Sequence, residues 1–94
     1  MAFAQTTFNL GDNVQGVVDG ETLTISGTGN MDDFTYWTKP SFGNIKKIII
    51  EVGVTNIGSS VFYECIGLTE VTIGNSVTSI GSYAFKDCSG LTTV

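Results

Sequence analysis

The chain has 94 residues, enough for one domain that buries about 60 to 65% of the surface its unfolded chain exposes. Its formal net charge is −5 and its four basic residues are all lysines, so it lacks the basic stripe that nucleic acid or an anionic membrane surface requires. No apolar run approaches the roughly 18 residues that span a bilayer, and the first eight residues do not resemble a signal peptide. We therefore expect neither nucleic-acid binding nor membrane insertion.

The first predicted element is a β-hairpin between Val17 and Ile25. Asp19 and Gly20 form a pair suited to the positive φ angles of a tight turn, and apolar residues alternate with polar ones after it. Leu23 and Ile25 are therefore expected to point into the core.

An aromatic segment follows at residues 26–44, with Phe34, Tyr36, Trp37 and Phe42. Such density is too high for a linker and suits a cover over the end of an elongated core, so residues 1–44 are predicted to be an N-terminal β-hairpin and aromatic cap. We expect Tyr36 and Trp37 to be buried in that cap, and the alternative for these two flat rings is an exposed platform on which sugars stack.

Residues 45–94 repeat with a 23-residue period. Eight residues, Val54, Ile57, Gly58, Phe62, Cys65, Gly67, Leu68 and Val71, recur as Val77, Ile80, Gly81, Phe85, Cys88, Gly90, Leu91 and Val94. A period of about 20 to 29 residues is typical of a leucine-rich-repeat solenoid, whose rungs bury their apolar sides by stacking. Ile45, Ile48 and Ile50 precede Leu68, Val71 and Ile73 by the same spacing, so the period predicts successive parallel strands.

Each strand is followed by a turn, a short extended piece and a segment that we predict to be a short helix, at residues 59–65 and 82–88. Phe62 and Cys65 lie three residues apart, the spacing of one helical face directed toward the core. Cys65 and Cys88 occupy equivalent positions in neighbouring rungs. They are expected to be buried, unreactive thiols, and a disulfide between rungs is the alternative.

The repeat stops in the middle of a strand at Val94, which corresponds to Val71. An unpaired strand edge and an uncovered apolar face are expected at this end. Leu91 and Val94 are therefore candidate residues for self-association with a second copy, or the chain is a piece of a longer array.

The segment from Ile57 to Ile73, with its second copy from Ile80 to Val94, resembles the BspA-like (Treponema-type) leucine-rich repeat, whose rung reads roughly IGxxAFxxCxxLxxVxIPxxVxx. Val61 departs from the usual Ala, and Glu51 and Gly74 from the usual Pro. The resemblance implies an α/β solenoid: a short right-handed coil with a parallel β ladder, short helices and the hairpin cap. It also implies a location at the cell surface or outside the cell, and adhesion to host proteins or other cells.

The residue content argues against catalysis. The chain has no histidine and no arginine, which removes the commonest general base and the usual oxyanion clamp. Two cysteines separated by a full repeat do not make a zinc site, and the acids Asp32 and Asp33 lack the spacing of a calcium loop. We predict no enzyme, no cofactor and no bound metal.

The remaining surface is the outward side of the parallel strands, which we call the sheet face. Its candidate binding residues are Thr24, Lys47, Ile49, Glu70, Thr72 and Thr93, with Thr24, Ile49 and Thr72 predicted in one row and Lys47 opposite Glu70 in the next. Two functions follow: a module that recognises proteins through this face, or a structural piece that starts or seals a longer array.

Overall fold

The computed structural model describes residues 5–91, whose strands form two sheets. The larger sheet contains β1 (Gln5–Gly11), β2 (Val14–Asp19), β3 (Thr22–Gly27), β4 (Lys47–Ile50) and β6 (Glu70–Ile73), in the spatial order β1-β2-β3-β4-β6. The smaller sheet pairs β5 (Asn56–Ile57) with β7 (Ser79–Ile80) in parallel. Strands β1 to β3 are antiparallel and β3, β4 and β6 are parallel, so a meander leads into a stack of rungs.

The predicted hairpin is confirmed. Asp19 pairs with Thr22 across a two-residue turn in which Gly20 has a φ of 65°. Strand β1, which the sequence reading did not anticipate, extends the hairpin into a meander and contributes Leu10, a fully buried side chain. The meander therefore adds its own apolar residue to the core beside Leu23 and Ile25.

The predicted parallel register is also confirmed. Leu23, Ile48 and Val71 lie side by side on the three parallel strands, and Ile25, Ile50 and Ile73 form the next inward row. Residues between them point outward, as the two-residue period of a half-buried strand requires. The right-handedness of the coil stays a prediction.

The rungs stack as the repeat period predicts. The rings of Phe62 and Phe85 lie with their centroids 5.3 Å apart and their planes at 26°. The equivalent pair of Val71 and Val94 cannot be compared because Val94 lies outside the described residues. Stacked rings at one repeat position show that equivalent side chains form a ladder through the core.

The predicted short helices are wrong, because residues 59–65 and 82–88 form consecutive tight turns. Ser60 and Glu64 have positive φ angles of 58° and 59°, which interrupt a helix. The backbone N–H groups of Ser60, Phe62 and Glu64 donate across to the carbonyls of Ser82, Ala84 and Lys86 in the next rung. In an α-helix these N–H groups would donate to carbonyl groups four residues earlier in the same segment. Hydrogen bonds between rungs therefore replace helical hydrogen bonds here.

The segment before the repeats packs as part of the same core. The ring of Phe42, 7% exposed, contacts Phe8 at 4.8 Å and Phe62 at 5.8 Å between centroids. Residues 29–34 also run beside the first full rung, since the N–H of Gly29 donates to Gly53 and the N–H of Phe34 donates to Ser59. They occupy the place of a preceding rung, while the domain boundary at residue 44 stays a prediction.

Candidate binding surfaces

The structure brings five of the six sheet-face residues together. Thr24, Ile49 and Thr72 are direct neighbours in one row across β3, β4 and β6, and Lys47 faces Glu70 in the adjacent row. Ile49 is half-buried and Thr72 is exposed. Thr93 lies outside the described residues. The result is a row in which one apolar residue stands between two threonines.

The charged pair of this face is solvent-exposed. The Nζ atom of Lys47 lies 3.8 Å from Oε2 of Glu70, and the two side chains are 44% and 49% exposed. Exposed pairs of this kind contribute about 0.2 to 1 kcal/mol to stability and less at high salt. Lys47 and Glu70 therefore remain available to a partner with little loss to the stability of the fold.

Both cysteines are free thiols. Burial raises the pKa of the Cys65 thiol to about 12, and burial also raises the pKa of Cys88. The Sγ of Cys88 lies 3.1 Å from the carbonyl oxygen of Phe62, to which it donates. Because the thiolate is the nucleophile, neither sulfur is activated for attack at neutral pH.

The acidic residues are spread over the surface, and two of them accept hydrogen bonds from other segments. Oδ1 of Asp33 accepts a hydrogen bond from the N–H of Ser59 at 2.9 Å, and Asp19 accepts one from the Gln5 amide at 3.1 Å. In residues 5–91 no group of three or more acidic or cysteine side chains is arranged to hold a metal ion. These contacts give the carboxylates a structural use.

Four aromatic rings form a second surface, the aromatic stripe, consisting of the exposed Trp37, Tyr36 and Tyr83 and the half-buried Tyr63. Successive centroids are 4.9, 5.1 and 6.4 Å apart, and each contact is edge-to-face. The expected burial of Trp37 and Tyr36 in the cap is wrong, because Trp37 is 87% and Tyr36 45% exposed. Met31 and Phe42 cover the core instead, with exposed fractions of 3% and 7%.

Sequence reasoning missed Tyr63 and Tyr83 because they occupy different repeat positions and no period connects them. The only sequence signal is the buried residue beside each of them: Tyr63 follows Phe62, and Tyr83 precedes Ala84. Both tyrosines lie in the turn segments, where Tyr63 is half-buried and Tyr83 is exposed. The aromatic stripe therefore results from residues of three separate chain segments.

The last described rung exposes residues whose equivalents one rung earlier are buried. Ile50, Val54, Ile57, Phe62 and Leu68 are at most 1% exposed, whereas Ile73, Val77, Phe85 and Leu91 are half-buried and Ile80 is 54% exposed. Within residues 5–91 no strand pairs with the outer edge of β6. We call this apolar surface the open end, and it includes Leu91.

Comparison with known proteins identifies the repeat. The sequence profile described as BspA type leucine rich repeat region (6 copies) matches residues 31–94. A leucine-rich repeat protein from Eubacterium ventriosum ATCC 27560, of known crystal structure, matches with a TM-score of 0.84 and 37% identity. The match covers 97% of this chain and 26% of that one, so the chain spans about a quarter of that protein's length. Comparison with curated proteins finds no match.

Residues 5–91 contain no helix with the length and apolarity that a membrane crossing requires.

Proposed function

Because the chain belongs to the family of BspA-type leucine-rich repeats, which generally mediate contacts between proteins, we propose that it is a non-catalytic module that binds a partner protein through its sheet face. The observation that carries the proposal is the row of Thr24, Ile49 and Thr72 in register on three parallel strands. A repeat that sets equivalent side chains in rows offers a partner a regular surface.

Rigidity supports this use of the face. Strand β4 is hydrogen-bonded on both sides, to β3 and to β6, so Lys47 and Ile49 sit on backbone that is already ordered. Binding to an ordered surface loses less conformational entropy than binding to a loop. Ile49 supplies apolar contact area, while the threonine hydroxyls and the pair of Lys47 with Glu70 supply orientation.

The proposed partner is a protein of a host surface, an extracellular matrix or another cell, and the proposed location is the cell surface or the extracellular space. The resemblance of the repeats to those of BspA-like adhesins supports both statements. The absence of histidine and arginine from the sequence is consistent with recognition that involves no bond chemistry.

Two substitutions test the sheet face. Ile49→Asp removes the apolar contact and Thr72→Lys adds a charged, bulky side chain to the same row. Each is expected to raise the Kd for a bound matrix protein by at least about tenfold, which corresponds to about 1.4 kcal/mol. Surface plasmon resonance against a panel of purified extracellular-matrix proteins measures the change, with circular dichroism to verify the fold.

Ile66→Asp is the matched control, because Ile66 is 69% exposed and lies in a turn segment outside the sheet face. Its affinity is expected to equal that of the parent chain. Full binding by both sheet-face variants, or an equal loss in Ile66→Asp, would contradict the proposed surface.

A second candidate function is assembly through the open end, with this chain starting or sealing a longer stack. Beyond the exposed side chains, the backbone favours it. The N–H groups of Ser60, Phe62 and Glu64 donate to the next rung, whereas their equivalents at Tyr83, Phe85 and Asp87 find no backbone acceptor among residues 5–91. Another rung supplies such acceptors together with apolar cover.

Light scattering as a function of concentration tests this second candidate. We expect the mass to rise from that of one chain to that of two, and Leu91→Asp to shift the transition to at least tenfold higher concentration. Ile66→Asp is again the control. A mass of one chain up to millimolar concentration would rule out pairing of copies through the open end.

A further inference from the structure

None of the four rings of the aromatic stripe belongs to the buried apolar core. Trp37 contacts Tyr36 through an edge-to-face pair and leaves 87% of its surface in solvent, while Tyr83 is 62% exposed. Exposed rings contribute little to folding, and large exposed aromatic groups are enriched where proteins bind ligands. Tyr63 and Tyr83 lie in the turn segments, and Tyr36 and Trp37 lie in a turn at residues 36–38, so none of the four belongs to a strand of the sheet face.

A shallow groove of about 400 Å³ runs along the stripe. It is lined by the rings of Phe34, Tyr36, Tyr63 and Tyr83 and by residues that carry hydroxyl groups, namely Thr35, Ser59, Ser60 and Ser82. In the part of the chain that the structure describes, no charged or amide side chain lines it. The groove therefore presents flat aromatic carbon and neutral hydroxyl groups, and these two chemistries restrict what it can hold.

The charged groups nearest the groove are of both signs and lie outside its lining. The ammonium groups of Lys39 and Lys86 lie 5.9 Å from the ring centroids of Tyr36 and Tyr83, where they repel a cationic side chain. The Glu64 carboxylate stands beside Tyr36, where its hydrogen bond and charge raise the pKa of that hydroxyl. With a net charge of −5, the chain also disfavours nucleic acid, whose bases otherwise stack on aromatic rings. Because the lining itself carries no charged side chain, a neutral ligand matches it best.

We propose that this groove is a second binding site, and that it takes a neutral oligosaccharide of pyranose units. The C–H face of a pyranose carries partial positive charge and suits the negative face of Tyr or Trp. The ring hydroxyls both donate and accept hydrogen bonds, as do Ser59 and Ser82. A proline-rich peptide is less well matched, since its proline residues offer carbonyl acceptors without N–H donors.

Trp37 makes the proposal measurable, because it is the only tryptophan in the chain and its ring contacts Tyr36 of the groove lining, at 4.9 Å between centroids. Its fluorescence is titrated in the intact chain with cellohexaose, chitohexaose and maltohexaose as probes. We expect a saturable blue shift and weaker acrylamide quenching with at least one probe. Tyr36→Ala and Tyr83→Ala are each expected to raise the Kd about tenfold, while Tyr83→Phe, which keeps the stacking face, stays within about threefold.

Three results would overturn the proposal: no saturable change with any of the three sugars, unchanged affinity in both alanine variants, or tight binding of a proline decamer with the same dependence on Tyr36 and Tyr83. Ile49→Asp separates this site from the sheet face. Sugar affinity equal to that of the parent chain in Ile49→Asp supports two independent surfaces, and its loss there would move the sugar site to the sheet face and contradict the assignment.

Discussion

Phe62→Ala is expected to lower the free energy of unfolding by about 3 to 5 kcal/mol. The ring is 0% exposed and lies between Phe42, at 5.8 Å, and Phe85, at 5.3 Å. Truncation removes contacts on both sides and leaves a cavity that two rigid neighbouring rings cannot fill. A domain of this size has about 5 to 14 kcal/mol of stability, so a large part of it depends on this one ring. Urea unfolding followed by circular dichroism measures the loss.

The repeat supplies the control, since Phe85 occupies the same position one rung later but is only half-buried. Phe85→Ala is expected to lower the free energy of unfolding by less than about 2 kcal/mol, in proportion to the smaller area removed from water. Phe62→Leu, expected to lose about 1 to 2 kcal/mol, keeps the measurement possible if the alanine variant does not fold. Equal losses at positions 62 and 85 would contradict the burial of one rung by the next.

Gly58→Ala is expected to lower the free energy of unfolding by about 3 kcal/mol. A Cβ at this position would overlap the carbonyl oxygen of Asp32, and that oxygen belongs to main chain that cannot rotate away. The segment that must shift is anchored to the neighbouring rung, where the N–H of Phe34 donates to Ser59 at 2.8 Å. The substitution therefore separates residues 29–34 from the first full rung, and thermal unfolding detects it as a lower midpoint.

Gly67→Ala is the matched control for backbone entropy. A Cβ there lies 3.6 Å from the carbonyl oxygen of Ile45, an ordinary contact, and Gly67 has no positive φ angle. Its stability is expected to stay within about 0.5 kcal/mol of the parent chain or to rise slightly, because alanine reduces the freedom of the unfolded chain. A loss at position 67 as large as that at position 58 would show that contact with Asp32 is not the cause.

The first rung does not have the 23-residue length of the later one, so the period alone does not predict which of its residues lie beside the next rung. Thr24 pairs with Ile49, and Ile49 pairs in turn with Thr72, so the rung that begins in the hairpin is two residues longer than the next. The alternation of apolar and polar residues around Leu23 and Ile25 nevertheless predicted that both side chains point into the core, as they do. Residues 29–34 also lie beside the first full rung, but at the spacing of the longer rung. A search at the 23-residue period therefore did not reveal that they take the place of a preceding rung.

The turn segments show where reading a segment by itself fails. A spacing of three residues between Phe62 and Cys65 fits a helix, and Phe62 is indeed buried. The backbone is nevertheless not helical, because the N–H groups of every second residue, from Ser60 to Glu64, donate to carbonyl groups of the next rung. Helix propensity is a weak preference for so short a segment, so the partner that stacking provides decides its conformation.

By itself the sequence determined which side chains share a row. Apolar residues recurring at a constant spacing bury their surface only when each rung lies on its neighbour, and that requirement predicted the inward rows, the register of the sheet face and the exposed apolar end. The tertiary structure alone decided the fate of the rings outside the period. Whether Tyr36, Trp37, Tyr63 and Tyr83 are covered depends on contacts among segments distant in sequence. Because Phe42 and Met31 already close the core, Tyr36, Trp37 and Tyr83 stay exposed and Tyr63 is only half-buried.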